Sequence, residues 1–218
     1  MKSVCIIDSG VDLPLEFGAV ASHFEVMPDF SIERLTHGID ALGHGTAVAG
    51  ILHRHAPGVE LHSIRVIGGS PHGDHSGNLL AALALALEHP EWEILNISVG
   101  IPRLDPRLEA LVAALVKQGR TLVAAVDNDP AKPTWPAAFP EVLAVEHDHF
   151  SDPLEFRWDS GDPSKIFASG IYIEAPRPSR GGGGTEYFTG SSFAAPLVSA
   201  RLATGDLRDS SRARPAFR

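Results

Sequence analysis

The 218-residue chain has a single cysteine, Cys5, which excludes an intramolecular disulfide and a thiolate metal cluster as supports of the fold. Cys5 lies in the apolar run Val4-Cys5-Ile6-Ile7, where a buried strand cysteine is the plain reading. Basic charge is scarce as well: 18 Lys and Arg face 27 Asp and Glu, a formal charge of −9 with the eleven histidines neutral. An acidic surface argues against nucleic acid and anionic membranes as partners. No stretch is long and uncharged enough to span a bilayer, and the short apolar run ahead of Asp8 cannot be a signal-peptide core followed by a cleavage site. Repeats are lacking, and no glycine-rich phosphate loop joins a strand to a helix, so a nucleotide site is not expected. These absences describe a soluble chain made in a reducing compartment, most simply the cytoplasm.

What is present suffices for one well-packed domain, with 44% of residues hydrophobic and 21% charged. Short β-branched runs at 4–8, 61–67, 93–97, 121–126 and 142–146 read as strands. Residues 44–55, the strongly apolar 78–88, and 108–118 with Gly119 as a stop read as helices. Strands apolar on both faces and separated by helices imply an α/β fold with a mostly parallel central sheet flanked by helices. Residues 127–190 differ, carrying eight prolines and the glycine run 181–184, and read as loop and short strand. Loops at the carboxyl ends of strands are where an α/β fold assembles a site; a plain surface loop is the alternative. The end of the chain, 205–218, reads as a polar, Arg-rich tail, a flexible end or a docking peptide.

Three short motifs gain meaning together. Ile6-Ile7-Asp8-Ser9-Gly10 puts an acid at the end of a buried strand. His44-Gly45-Thr46-Ala47-Val48-Ala49-Gly50 puts a histidine at a helix start, and Gly190-Ser191-Ser192-Phe193-Ala194-Ala195-Pro196 puts a serine at another. Singly, each has an ordinary structural reading as a strand end, a turn histidine or a Gly-Ser-Ser turn. Jointly they fit nucleophilic catalysis: serine needs an imidazole to take its proton, and the imidazole needs an anchored carboxylate to fix its tautomer and stabilise its cation. The order Asp, His, Ser along the chain is that of subtilisin, not that of chymotrypsin or the α/β-hydrolases.

On these residues the chain resembles the subtilisin-like serine proteases, or subtilases, over roughly residues 3–204. Further boxes follow in the family's order: Ala56-Pro57 before a strand, Leu95-Asn96-Ile97-Ser98-Val99-Gly100, and Trp135-Pro136-Ala137-Ala138-Phe139-Pro140-Glu141-Val142-Leu143-Ala144-Val145. The resemblance implies a three-layer subtilisin-like peptidase domain over residues 1–204 and a serine endopeptidase acting through an acyl-enzyme. Ser192 is then the nucleophile, preferred over Ser191 because x-Ala-x-Pro follows it, with His44 as general base and acid and Asp8 orienting it. Asn128 matches the oxyanion asparagine, whose amide donates to the tetrahedral oxygen alongside the helix start at Ser192. Ser98, Val99 and Gly100 match the strip that pairs with substrate backbone as an added strand, so a peptide or protein is the implied substrate. The Trp135-Pro136 bond is expected to be cis, and no cofactor is implied.

The chain also departs from the family pattern. Asp127 stands where glycine usually precedes the oxyanion asparagine, with Asp129 beyond it and Thr134 near the floor of the first specificity pocket. Either the pocket is acidic and favours Arg or Lys before the cut, or both aspartates face solvent. Only Ile51-Leu52-His53-Arg54-His55 separates the histidine motif from Ala56-Pro57, where many relatives insert a calcium loop. Calcium needs six or more oxygens and this stretch offers no carboxylate, so activity without that ion is expected. Seven residues precede Asp8, with no inhibitory propeptide, which favours an intracellular processing protease and leaves room for an activating or scaffolding protein partner. Ser191 replaces a threonine and keeps the hydroxyl. The histidines at 53 and 55, 72 and 75, and 147 and 149 read as solvated or structural, not as a metal site. The rival reading is a catalytically inactive, protease-derived peptide-binding module within a larger processing complex. An esterase is a third reading, disfavoured by the strand-pairing strip. The complete set of Asp8, His44, Asn128 and Ser192 favours an active enzyme.

Overall fold

The computed structural model describes residues 2–68, 74–129, 132–205 and 207. Its strands and α-helices are, in order, β1 (Ser3–Asp8), β2 (Ser22–Val26), β3 (Ile32–Leu35), α1 (His44–His55), β4 (Glu60–Arg65), α2 (Ser76–Glu88), β5 (Ile94–Ile97), α3 (Pro106–Lys117), β6 (Thr121–Ala125), β7 (Leu143–Asp148), β8 (Phe156–Trp158), β9 (Lys165–Ser169), β10 (Ile173–Pro176), β11 (Thr185–Phe188) and α4 (Ser191–Thr204). A nine-stranded sheet runs in the order β3-β2-β4-β1-β5-β6-β7-β9-β8. It is parallel from β2 to β9, and each edge strand, β3 and β8, pairs antiparallel with its neighbour. β10 and β11 form a separate antiparallel ribbon.

The unbroken apolar run of β1 has a direct cause in this layering. Successive side chains of a strand point to opposite faces. Val4 and Ile6 enter one core with Val48 and Leu52 of α1 and Leu197 and Val198 of α4. Cys5 and Ile7 enter the other, with Leu79 and Leu83 of α2 and Leu108 and Leu115 of α3. All four β1 side chains are fully buried, and burial of each large aliphatic contributes about 1.5–3 kcal/mol relative to exposure. The result is a three-layer α/β fold: helix pair, sheet, helix pair.

The five expected strands correspond to β1, β4, β5, β6 and β7, and the expected helices to α1, α2 and α3, with ends shifted by a few residues. Asp105 caps α3 by accepting from Arg107 N at 2.8 Å, and Pro106 opens the helix, so α3 starts two residues before the apolar pattern does. Among the described residues, β2 and β3 had no counterpart in the sequence reading, and β8–β11 fall in the 127–190 segment read only as loop and short strand. β3 and β8 are sheet edges and β11 a ribbon strand, with exposed or half-buried side chains as in Ile32–Leu35, while β2 and β9 lie inside the sheet with Phe24, Val26, Ile166 and Ala168 buried, but in short runs flanked or broken by polar residues. Helix α4 ends at Thr204, where Gly205 adopts a left-handed cap. The remainder of the Arg-rich tail, residues 206 and 208–218, and His72 lie outside the described residues.

Candidate active site

The carboxyl ends of the central parallel strands meet at one edge of the sheet. Asp8 ends β1, Ser98 follows β5, Asn128 follows β6 and His147 lies at the end of β7. The amino termini of α1 and α4 bring His44, Ser191 and Ser192 to the same edge. This is the crevice where open α/β sheets bind ligands.

Asp8 is wholly buried, and its Oδ1 accepts from His44 Nδ1 at 2.7 Å. The Ser9 backbone N–H donates to the same oxygen at 2.6 Å. Such close approach of α1 to the end of β1 requires Gly45. A Cβ there would lie 2.0 Å from the Gly10 carbonyl oxygen and 3.1 Å from the Asp8 Cβ. Burial alone would push the Asp8 carboxyl up; the charge and hydrogen bond of His44, the Ser9 N–H and the Ser98 hydroxyl reverse this and hold it below its ordinary value. Ser98 Oγ and Asp8 Oδ2 are both buried without a fully formed hydrogen bond. For His44, burial would lower the imidazole, but Asp8, with Asp40 behind it, raises it above 6.5. The Nδ1 bond leaves Nε2 as the nitrogen available to a nucleophile.

A second carboxylate, Asp40, went unremarked in the sequence. It is 6% exposed, and its Oδ1 accepts from Ser9 Oγ at 2.9 Å, Leu42 N at 3.1 Å and Gly43 N at 2.9 Å. Its Oδ2 accepts from Thr46 N at 2.8 Å and Thr46 Oγ1 at 2.7 Å. Burial raises Asp40 in spite of these donors. Ser9 Oγ also accepts from Gly45 N at 3.0 Å, so Ser9 links the two carboxylates and the start of the His44 helix. The signal for Asp40 was its place four residues before His44 in a short, turn-rich segment, too weak to read without the fold.

Ser192 is the second residue of α4 and is half-buried. Among the described residues no hydrogen bond joins Ser192 to His44; their neighbourhood is marked by Phe193, whose ring centroid lies 4.9 Å from that of His44. Phe188 packs on Phe193 at 4.8 Å. Asn128 Oδ1 accepts from Ser191 N at 3.1 Å, and a Cβ on Gly190, at φ 145°, would lie 3.3–3.4 Å from the Asn128 amide atoms. The oxygen end of the amide is therefore fixed to the α4 turn, and its NH₂ is the end left to donate.

The Ser98-Val99-Gly100 strip is divided in its bonding. Ser98 N donates to Ile7 O at 3.3 Å, Val99 is buried, and Ile101 pairs with Trp135 through two backbone bonds of 2.8 and 3.0 Å. Among the described residues no backbone bond engages Gly100, which is exposed. Thr134 abuts it, 3.0 Å from where a Gly100 Cβ would sit, with its hydroxyl buried and unbonded. The Trp135-Pro136 bond is cis. Beside the strip, a cavity of about 160 Å³ is lined by Asp127 and Thr134 together with Lys132, Glu146, Asp162 and Lys165. Lys165 pairs with Glu146 at 2.6 Å. Lys132 pairs with Asp129 at 3.0 Å, so Asp129 is bound to a lysine, not aimed into the cavity beside Asp127.

From the end of α1, Ala56 N bonds back to Leu52 O and Val59 N to Ala56 O, a tight turn into β4 without an inserted loop. Among the described residues no three His, Cys, Asp or Glu side chains converge as a metal-holding group. Within the same residues no helix is long and apolar enough to cross a membrane.

The chain is 29% identical over 210 residues to subtilisin-like protease 1 of Trichophyton rubrum, covering 90% of this chain and 40% of that protein. It is 30% identical over 205 residues to a subtilisin-like protease of Coccidioides posadasii, covering 88% and 49%. The chain thus spans less than half the length of these two relatives. Among solved structures, a mutant of the protease domain of PatA superposes with a TM-score of 0.74 at 27% identity, covering 93% of this chain and 78% of that one. A cold-adapted subtilisin-like serine proteinase gives 0.73 at 25% identity, covering 93% and 74%. The prenylagaramide maturation protease PagA gives 0.68 at 25% identity, covering 94% and 77%. The profile of the Subtilase family matches residues 2–205, and the chain belongs to that family.

Proposed function

We propose that this chain is a serine endopeptidase that cleaves a peptide or protein through Asp8, His44 and Ser192. The observation that carries the reading is the 2.7 Å bond between His44 Nδ1 and a fully buried Asp8 at the mouth of the crevice, beside the helix start that bears Ser192. His44 Nε2 takes the Ser192 proton as Oγ attacks the scissile carbonyl. The oxyanion is met by the Asn128 NH₂ and the Ser192 backbone N–H at the start of α4, the neighbouring Ser191 and Phe193 N–H groups being bonded to Asn128 Oδ1 and Gly190 O. His44 then gives the proton to the leaving amine, and water, activated by the same imidazole, hydrolyses the ester on Ser192.

Substrate backbone adds as a strand along Gly100, with the side chain before the cut entering the cavity at Asp127 and Thr134. With Lys132 and Lys165 each tied to another carboxylate, Asp127, beside Thr134, and Asp162 are the lining carboxylates left to select Arg or Lys there. A cytoplasmic site of action, favoured by the lone buried Cys5, and maturation of a specific precursor, as named for PagA, complete the reading. Incubation with peptides carrying each residue before the cut, followed by mass spectrometry, tests it: fragments appear with the unaltered chain and not with Ser192→Ala. Intact peptides in both would favour a binding module.

A further inference from the structure

His147 stands outside the triad, yet it touches the turn that carries the nucleophile. Its ring Nδ1 lies 3.1 Å from Ser191 Oγ, and its backbone N–H donates to the same oxygen at 3.4 Å. Ser191 is 1% exposed, so its hydroxyl is held inside the wall of the site. The Ser191 N–H in turn fixes Asn128 Oδ1. Gly170 lets His147 approach: a Cβ there would lie 2.5 Å from the His147 Cβ, and Gly170 O accepts from Gly190 N at 2.8 Å. One packed unit therefore runs from His147 through Ser191 to the Asn128 amide.

We propose that His147 is a positioning residue for the oxyanion side of the site, fixing Ser191 and, through the Ser191 N–H, which end of the Asn128 amide faces the reacting carbonyl. Its kinetic consequence rests on the endopeptidase reading. The His147 backbone N–H fills one lone pair of Ser191 Oγ, and one proton, the serine's or that of ring Nδ1 according to the tautomer, joins the two side chains. An amide held at its oxygen cannot flip, and a catalytic donor needs that kind of support behind it.

The test uses the full chain with His147→Ala, His147→Asn, Ser191→Ala and the His147→Ala/Ser191→Ala pair, each first checked for a cooperative melt. Hydrolysis of a peptide nitroanilide should show His147→Ala lowering kcat about 5- to 20-fold with KM changed less than about twofold. His147→Asn, whose amide reaches the same oxygen, should recover most of the loss, and the double variant should lose little more than the larger single. The side-chain ¹H–¹⁵N signals of Asn128 supply a readout that needs no turnover: they should move in His147→Ala and Ser191→Ala and return in His147→Asn. A folded His147→Ala with unchanged Asn128 signals, or with unchanged kcat where the unaltered chain cleaves, would overturn the proposal. A chain that cleaves nothing would sink the endopeptidase reading, while the Asn128 signals would still decide the role of His147.

Discussion

His44 Nδ1 meets Asp8 Oδ1 at 2.7 Å, with the carboxylate wholly buried and the imidazole 32% exposed on its other side. The arrangement lowers the acid and raises the base, so its effects on stability and on activity have opposite pH signs. The His44 contribution to stability is complete below 6.5 and is lost as pH rises through its raised folded value. The Asp8 contribution is complete above 3.8 and is lost as pH falls through its lowered folded value. Activity needs the neutral imidazole and therefore rises where the His44 contribution fades. A pH series should show the melting temperature falling above 6.5 while kcat/KM climbs to a midpoint above 6.5. Asp8→Asn should flatten the first trend and cut kcat by about 10⁴.

Asn128→Ala removes a donor aimed at the oxyanion and should lower kcat by about 10²–10³ with little change in KM. Steady-state kinetics on a single peptide check it. A rise in KM with kcat unchanged would place Asn128 in ground-state binding instead.

Asp40 organises the loop ahead of His44 through five donors. Asp40→Ala leaves those donors unmet and should destabilise the fold by about 2–4 kcal/mol in urea unfolding. Its kcat should fall further than stability alone accounts for, because the Gly43 and Thr46 contacts flanking His44 loosen.

The central layers were legible because burial on both faces writes a continuous apolar run, as in Val4-Cys5-Ile6-Ile7, and because α2 and α3 carry apolar positions at helical spacing. The edge strands were not, since Ile32–Leu35 and Thr185–Phe188 keep polar or exposed positions and depend on neighbours distant in sequence. At the site, Asp8, His44, Ser192 and Asn128 stood out through motif and order. Asp40 and His147 did not, because their roles are contacts made across the fold: Asp40 with Ser9, and His147 with Ser191. Asp129 shows the converse, since only the structure pairs it with Lys132.

Asp127 should set the preference before the cut. In a peptide set varied only at that position, Arg and Lys should be cleaved best, and Asp127→Ser should reduce their kcat/KM by about tenfold or more. Best cleavage after large apolar residues would contradict this.

The tight turn from α1 into β4 predicts activity independent of a calcium loop at that point. Dialysis against a chelator should leave the peptide cleavage rate unchanged. Abolition restored by calcium alone would refute it.

The central claim is that Ser192 is a nucleophile activated by His44. Labelling with an active-site fluorophosphonate tests it most directly, because the reagent reacts covalently only with an activated serine. One label per chain on Ser192, lost in Ser192→Ala and strongly reduced in His44→Ala, is the predicted result. A folded, unaltered chain that takes no label, or one labelled equally in Ser192→Ala, would contradict it.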